Sequence, residues 1–200
     1  MDQQPIVHAQ GSAAIFLDRD GTLNIDNGYV GEVSRFQFIG GAIEACRQLQ
    51  SFGYQLVLIT NQSGIARGYF SEQQFRQLTA WMCQQLAQQG VQLAGFYYCP
   101  HHPQGMGQYR QYCQCRKPQP GLLLRAQQEL NLDMASSYLV GDKWEDLQAA
   151  KAAGVGKRVL VKSGHPLTSQ AKAQADWILP SLQALPDVIT EASHLQFKES

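Results

Sequence analysis

The sequence predicts an α/β fold with a mainly parallel sheet, and three observations predict it. Short, continuously apolar runs, as expected of strands buried on both faces, alternate with segments of three- and four-residue apolar spacing. Turn and capping residues mark each change of period. Polar residues capable of chemistry recur just after the apolar runs, and α/β sheets bind ligands beyond the carboxyl ends of their strands. A chain of 200 residues that is 44% hydrophobic suffices for one domain with a full core.

The elements follow in order. The run 13–17 (AAIFL) reads as a first strand. Ala42, Cys46, Leu49 and Gly53 recur at helical spacing and predict a helix over 41–52. The run 55–59 (QLVLI) is a second strand. Ser71 with Glu72 opens a helix through Phe75, Leu78, Met82 and Leu86 that closes near Gly90. Residues 94–98, rich in aromatics, form a third strand. The stretch 99–119 shows no period and is too long for an ordinary connection, so it is functional or metal-braced. Pro120 begins a helix over 120–131, followed by a strand at 137–140 and a helix over 144–153 closed by Gly154. Strands at 157–161 and 176–179 and a helix over 181–191 complete the pattern. The expected organisation is a loose lead-in at 1–12, a single domain over 13–191 and a tail at 192–200.

Sixteen basic and sixteen acidic residues cancel to a net charge of zero. That excludes a nucleic-acid binder built on excess cationic charge, and with 10% aromatics it excludes an acidic disordered chain. No run approaches 18 apolar residues, so neither a membrane span nor a membrane partner is expected. The first dozen residues lack a basic n-region and an apolar h-region, so neither a secretory signal nor a transit peptide is expected. Five cysteines, three of them clustered between 99 and 115, suit a metal site in a reducing compartment better than a disulfide scaffold. Cys46 and Cys83 fall in helical segments and read as ordinary packing residues.

Four strand-end motifs carry the chemistry. After the first strand stand Asp18 and Asp20, two carboxylates that repel unless a proton or a hard cation such as Mg2+ neutralises them, with Gly21 free to turn. The competing reading is a polar strand end with an Asx turn. After the second strand, Thr60-Asn61-Gln62-Ser63-Gly64 offers a hydroxyl and backbone N–H groups to a phosphate, or else is a turn of small polar residues. Arg116 and Lys117 supply a planar fork and a point charge for phosphate, or else are a solvated basic pair. After the fourth strand, Asp142 completes the carboxylate set and Asp146 faces the same way one helical turn on. Alternatively Asp142 caps the helix with Glu145 as its partner. Recurrence at successive strand ends makes the combined chemical reading specific.

Within the loop, Cys99, His101, Cys113 and Cys115 form a Cys3His set at spacings suited to tetrahedral zinc. An all-protein ligand set marks a structural ion that clamps a segment with no core of its own. Cys99-x-His101 mirrors Cys113-x-Cys115, which favours His101 over His102. Reduced thiols without metal are the competing reading, and a Cys113–Cys115 disulfide is poorly suited by geometry.

This ordered set resembles the haloacid dehalogenase (HAD) superfamily of aspartate-nucleophile phosphohydrolases, its motifs matched by Asp18/Asp20, Thr60, Lys117 and Asp142/Asp146. Within it, the stretches 16–22, 60–68, 98–103, 115–118 and 140–143 resemble the heptose bisphosphate phosphatase family, across roughly residues 13–185. The resemblance implies a three-layer Rossmann-like fold without a large cap, a catalytic Mg2+ and a structural Zn2+, and a monomer is the default expected of a capless domain of this size. It implies removal of the 7-phosphate of a heptose 1,7-bisphosphate in the cytoplasmic route to ADP-heptose for the lipopolysaccharide core. Asp18 is then the nucleophile and Asp20 the general acid and base, while Thr60 and Lys117 stabilise the phosphoryl group. Asp18, Asp142 and the backbone carbonyl of Asp20 hold Mg2+. Asp26, Asn27, Gly28, Tyr29, Asn61, Gln62, Ser63, Arg116 and Lys143 line the small phosphorylated-sugar site. The sister histidinol-phosphate phosphatases share the catalytic set, so histidinol phosphate or another small phosphomonoester is the alternative substrate.

Overall fold

The computed structural model describes residues 11–196, and residues 1–10 and 197–200 lie outside them. Six strands form one sheet in the order β3-β2-β1-β4-β5-β6. They are β1 (Ser12–Leu17), β2 (Gln55–Asn61), β3 (Leu93–Cys99), β4 (Leu132–Gly141), β5 (Lys157–Val161) and β6 (Trp177–Leu179). Every adjacent pair is parallel. The helices are α1 (Ala42–Ser51), α2 (Ser63–Ala66), α3 (Glu72–Gln88), α4 (Gly121–Leu130), α5 (Trp144–Ala152), α6 (Ser169–Gln174) and α7 (Leu185–Gln196).

Alternation along β1 distributes its residues between two cores. Ile15 and Leu17 pack with the apolar faces of α1, α3 and α7, while Ala14 and Phe16 pack with α4, α5 and α6. The result is the expected three-layer architecture, and no large insert interrupts it among the described residues. Ser71 caps α3 as expected, accepting from the Gln74 N–H at 3.1 Å, while Gln74 Oε1 accepts from the Ser71 N–H at 2.7 Å. No helix of the described residues is long and apolar enough to cross a membrane.

Several boundaries differ from expectation. β4 starts at Leu132, not at 137, and its first residues pair with Ser12 and Ala13 before the register shifts. Asp133 binds the backbone of Ala135 and Ser136 across that shift, so the early half of the strand has the composition of a turn. The short helices α2 and α6 are too brief to show a period. The last helix, expected over 181–191, is a 3-10 turn at Leu182–Ala184 followed by α7, which runs to Gln196. The tail expected from 192 therefore begins inside a helix, and the lead-in expected to end at 12 gives way to β1 at Ser12.

The strand order sets the site. From β1 the chain builds outward through β2 and β3, then returns to build β4, β5 and β6 on the other side. The reversal opens a crevice at the carboxyl ends of β1 and β4. Asp18 and Asp142 each stand just beyond one of those ends, and the Asp18 N–H donates to the Val140 carbonyl at 2.9 Å.

Candidate active site

Asp18, Asp142 and Asp146 are all buried, and each offers a carboxylate oxygen within 4.8 Å of the others. Burial pushes the Asp18 carboxyl up to about 6, with the Asp146 charge adding to it and Lys117 opposing it. Asp142 is raised as well, by burial and by Asp18. Lys117, 3% exposed, sits against this set. Its ammonium donates to Asp18 Oδ1 at 2.8 Å and to the Ile59 carbonyl at 2.9 Å, and it pairs with Asp146 Oδ1 at 2.6 Å. Burial alone would lower the lysine pKa, but the Asp146 and Asp18 charges outweigh it and raise it.

The two acids after β4 have separate duties. Asp146 is the N3 residue of α5, and its Oδ2 accepts from the Lys143 N–H at 3.0 Å. With Oδ1 on Lys117, both of its oxygens are committed. The cap residue of α5 is thus Lys143, and the alternative cap of Asp142 with Glu145 is not formed. Asp142 Oδ2 accepts from the backbone N–H of His165 at 3.0 Å and from its ring Nδ1 at 2.7 Å, while Oδ1 is buried without a partner. An orphaned, buried oxygen on a carboxylate that neighbours Asp18 fits a hard cation.

Asp20 is held by a different set of partners. Its carboxylate accepts from Arg19 Nε at 3.1 Å, Arg19 Nη2 at 2.8 Å, Asn24 Nδ2 at 3.0 Å and Gln62 Nε2 at 3.0 Å. Burial would raise Asp20, but the Arg19 charge and these hydrogen bonds outweigh it and hold the carboxyl below its ordinary value. Arg19 is itself 1% exposed and donates to the Val30 carbonyl at 2.7 Å. Gln62 Nε2 also donates to Thr60 Oγ1 at 2.9 Å. Thr60 is 1% exposed and already accepts that bond, so its own hydroxyl hydrogen is the group left to offer a ligand.

A cavity of about 370 Å3 opens over Asp18, Asp20, Lys117 and Asp146, while Thr60 and Asp142 lie behind its lining. Of the expected substrate set, Asp26, Gly28, Tyr29, Asn61, Gln62, Ser63, Arg116 and Lys143 line it, and Asn27 does not. Asn27 instead contributes its carbonyl to Arg35 Nη2 at 2.8 Å, so its contribution is to the shape of the loop. Asn61 reaches the wall with its amide already used: Oδ1 accepts from the Lys117 N–H and Nδ2 donates to the Lys117 carbonyl, each at 3.0 Å. It holds the Lys117 backbone while still lining the cavity. Sequence reasoning did not find His165, Arg19 or Glu145. Arg19, lying between the two aspartates, was the one with a signal, because a charged residue within a buried strand-end motif needs a partner there.

Cys99, His101, Cys113 and Cys115 converge as expected. Their ligand atoms lie 3.1 Å (Cys99–Cys115), 3.3 Å (Cys113–Cys115), 3.4 Å (Cys115–His101), 3.5 Å (Cys99–Cys113) and 3.8 Å (Cys99–His101) apart. Sulfurs bound to zinc at about 2.3 Å stand about 3.8 Å apart in a tetrahedron, so a modest expansion fits a metal ion. All five cysteines are free. His102 turns away, its Nδ1 accepting from the Gln104 N–H at 3.0 Å and its Nε2 lying 3.1 Å from Arg67 Nη2. The loop is anchored on the phosphate-loop side: the Met106 N–H donates to the Ala66 carbonyl at 2.7 Å, and the Tyr109 hydroxyl to Glu72 Oε2 at 2.7 Å. Arg116 Nη1 reaches back to the His101 carbonyl at 3.3 Å, and the Lys117–Pro118 peptide is cis.

Comparison with known proteins agrees with this geometry. A family model described as HAD-hydrolase-like matches residues 114–185. The chain is 59% identical over 181 residues to the D-glycero-β-D-manno-heptose-1,7-bisphosphate 7-phosphatase of Yersinia pestis, covering 90% of this chain and 96% of that one. It is 61% identical over 176 residues to the enzyme of the same name from Pasteurella multocida, covering 88% and 96%. Among solved structures, a D,D-heptose 1,7-bisphosphate phosphatase from B. bronchiseptica complexed with magnesium and phosphate is 31% identical. It superposes with a TM-score of 0.77 over 90% of this chain and 99% of that one. A HAD-like phosphatase from Mesorhizobium loti is 34% identical with a TM-score of 0.74, covering 84% and 81%. With this identity along nearly its whole length, the strand-end aspartates at the β1/β4 crevice and the matching fold, the chain belongs to the D-glycero-D-manno-heptose 1,7-bisphosphate 7-phosphatase family of the HAD superfamily.

Proposed function

We infer that the chain is a Mg2+-dependent phosphatase that hydrolyses the 7-phosphate of D-glycero-β-D-manno-heptose 1,7-bisphosphate and releases heptose 1-phosphate. The carrying observation is Asp18 at the strand crossover, with Lys117 Nζ 2.8 Å from one oxygen and beside it the Asp142 carboxylate, one of whose oxygens is buried and unpartnered. The relatives' shared name supports the substrate and its β anomer.

Asp18 is the nucleophile: its carboxylate oxygen attacks the 7-phosphoryl phosphorus, and the bond from phosphorus to the sugar oxygen breaks. Asp20 gives that oxygen a proton. It then removes a proton from the water that attacks the aspartyl phosphate, which frees phosphate and restores Asp18. Asp20 is held anionic at rest, so it acquires its proton on substrate binding, when the arriving phosphoryl charge raises its pKa. Lys117 and the Thr60 hydroxyl steady the equatorial phosphoryl oxygens, where charge accumulates. Asp18, Asp142 Oδ1 and the Asp20 carbonyl would hold Mg2+, which supplies the charge neutralisation that lets a carboxylate approach a phosphoryl anion. Arg116 meets the second phosphate, and Asp26 and Lys143 face the sugar.

Cys99, His101, Cys113 and Cys115 hold a structural Zn2+ that fixes Arg116 and Lys117, both of which immediately follow ligand Cys115. The product keeps its anomeric phosphate, the group a nucleotidyl transfer needs, in line with a cytoplasmic route to ADP-heptose. Phosphorus NMR of each heptose 1,7-bisphosphate anomer with enzyme and Mg2+ tests the reading. Loss of the 7-phosphate signal with the 1-phosphate retained, faster for the β anomer, is expected. Turnover of histidinol phosphate with the heptose untouched would move the chain to the sister activity.

A further inference from the structure

His165, in the turn after β5, belongs to none of the strand-end motifs, yet it makes two contacts to a candidate cation ligand. Asp142 Oδ2 takes two bonds from this one residue, from the backbone N–H at 3.0 Å and from ring Nδ1 at 2.7 Å. A carboxylate only accepts, so Nδ1 carries the hydrogen. The approach is close enough to exclude side chains on both flanking turns. A Cβ at Gly164 would lie 2.1 Å from Asp142 Oδ2, and one at Gly21, where φ is +86°, would lie 2.5 Å from it. With Oδ2 taking both bonds from His165, Oδ1 is the Asp142 oxygen left buried and unpartnered, and the Asp142 carboxylate comes within 4.8 Å of that of Asp18.

The ring has a second face. Its Nε2 lies 3.7 Å from Asp26 Oδ2, and His165 lines the substrate cavity. One side chain thereby links the acid after β4 to the loop after β1, across the mouth of the crevice.

We propose that His165 is a positioning residue for the catalytic cation: it holds Asp142 so that Oδ1 faces the site, and it joins that ligand to the Asp26 wall. The proposal rests on the reading of Asp18 and Asp142 as cation ligands. Outer partners that orient a metal ligand are worth about 10–100-fold in metal affinity. The backbone N–H survives substitution, so a variant at this position reports the ring alone.

The test is calorimetric titration of Mg2+ into the full-length protein with inorganic phosphate present, for wild type, His165→Ala and His165→Asn. Melting temperatures in EDTA serve as the check on folding. Asparagine keeps a donor near the Nδ1 position. The Mg2+ dissociation constant should rise about 10–100-fold in His165→Ala and stay within about threefold of wild type in His165→Asn. Binding by His165→Ala within about threefold of wild type would overturn the proposal. If the alanine variant does not fold, His165→Asn decides: near-wild-type affinity supports the role, and a tenfold or greater loss overturns it. A wild-type protein that takes up no Mg2+ would instead overturn the cation reading itself.

Discussion

Asn61 grips the backbone of Lys117 at both ends of its amide, donating to the carbonyl and accepting from the N–H, each at 3.0 Å. The two residues are far apart in sequence: Asn61 ends β2, and Lys117 lies in the loop before α4. The grip is what sets the lysine beside Asp18. Replacing Asn61 with Asp turns the donor into an acceptor that faces the Lys117 carbonyl. Misplacing a charge at the reacting centre by an ångström costs about 100-fold. Asn61→Asp should therefore lower kcat about 100-fold with a smaller change in KM. Steady-state kinetics with melting curves check this, and a change confined to KM would return Asn61 to a substrate contact.

Asp18 and Asp146 share Lys117 but should fail differently. Asp18→Asn leaves the lysine its Asp146 partner, so the fold should persist while turnover falls by about 10⁴-fold or more. Asp146→Ala strips Lys117 of one partner and the Lys143 N–H of its acceptor. Breaking a buried pair costs about 3–5 kcal/mol, so this variant should lose stability as well as activity. Chemical denaturation and kinetics on both variants separate the two. An Asp18→Asn enzyme with near-wild-type turnover would remove the covalent mechanism.

The sequence shows the sheet and the site to different depths. β1 reads cleanly because Ala14, Ile15, Phe16 and Leu17 are all fully buried, so both faces of the strand are apolar. The strand-end aspartates read for a related reason, being charged residues directly after an apolar run. The early half of β4 does not read, because Asp133 and its turn interrupt the apolar pattern at the register shift. The zinc-type cluster is legible from spacing alone, yet its anchoring on Ala66 and Glu72 is not, since neither lies near it in sequence. Asn61 is legible as a site residue but not in its role, because an amide serves a substrate or a backbone equally well. His165 gives no signal: a lone histidine in a turn acquires meaning only when β4 and β5 stand side by side.

The metal loop should act on catalysis through order. Arg116 and Lys117 follow Cys115 directly, while Tyr109 and Met106 fasten the outer part of the loop to Glu72 and Ala66. Without a metal, Cys99 stays in the core at the end of β3, while His101 and the 113–115 turn lose the bonds that tie them to it. Chelation followed by restored Mg2+ should cut kcat about tenfold or more, as expected when positioning groups lose their place. Hydrogen exchange should rise in 100–116 and stay unchanged in β1, β2 and β4. Full turnover in zinc-free protein would separate the loop from the chemistry.

Proton and cation should compete at Asp18. Burial pushes its carboxyl up to about 6, the Asp146 charge adds to the shift, and Lys117 opposes it. A carboxyl with a raised pKa keeps its proton at higher pH, and a cation needs the anion. Mg2+ affinity should therefore be nearly flat above about pH 7. Below about pH 6 it should weaken by up to about tenfold per pH unit for each proton displaced. Asp142, raised in the same direction, should steepen the fall. Calorimetric Mg2+ titrations in two buffers of different ionisation heat count the protons released. Release is expected at about pH 5.5 and little at about pH 7.5. Equal affinity at both, with no proton released, would mean that Asp18 does not ligate the ion.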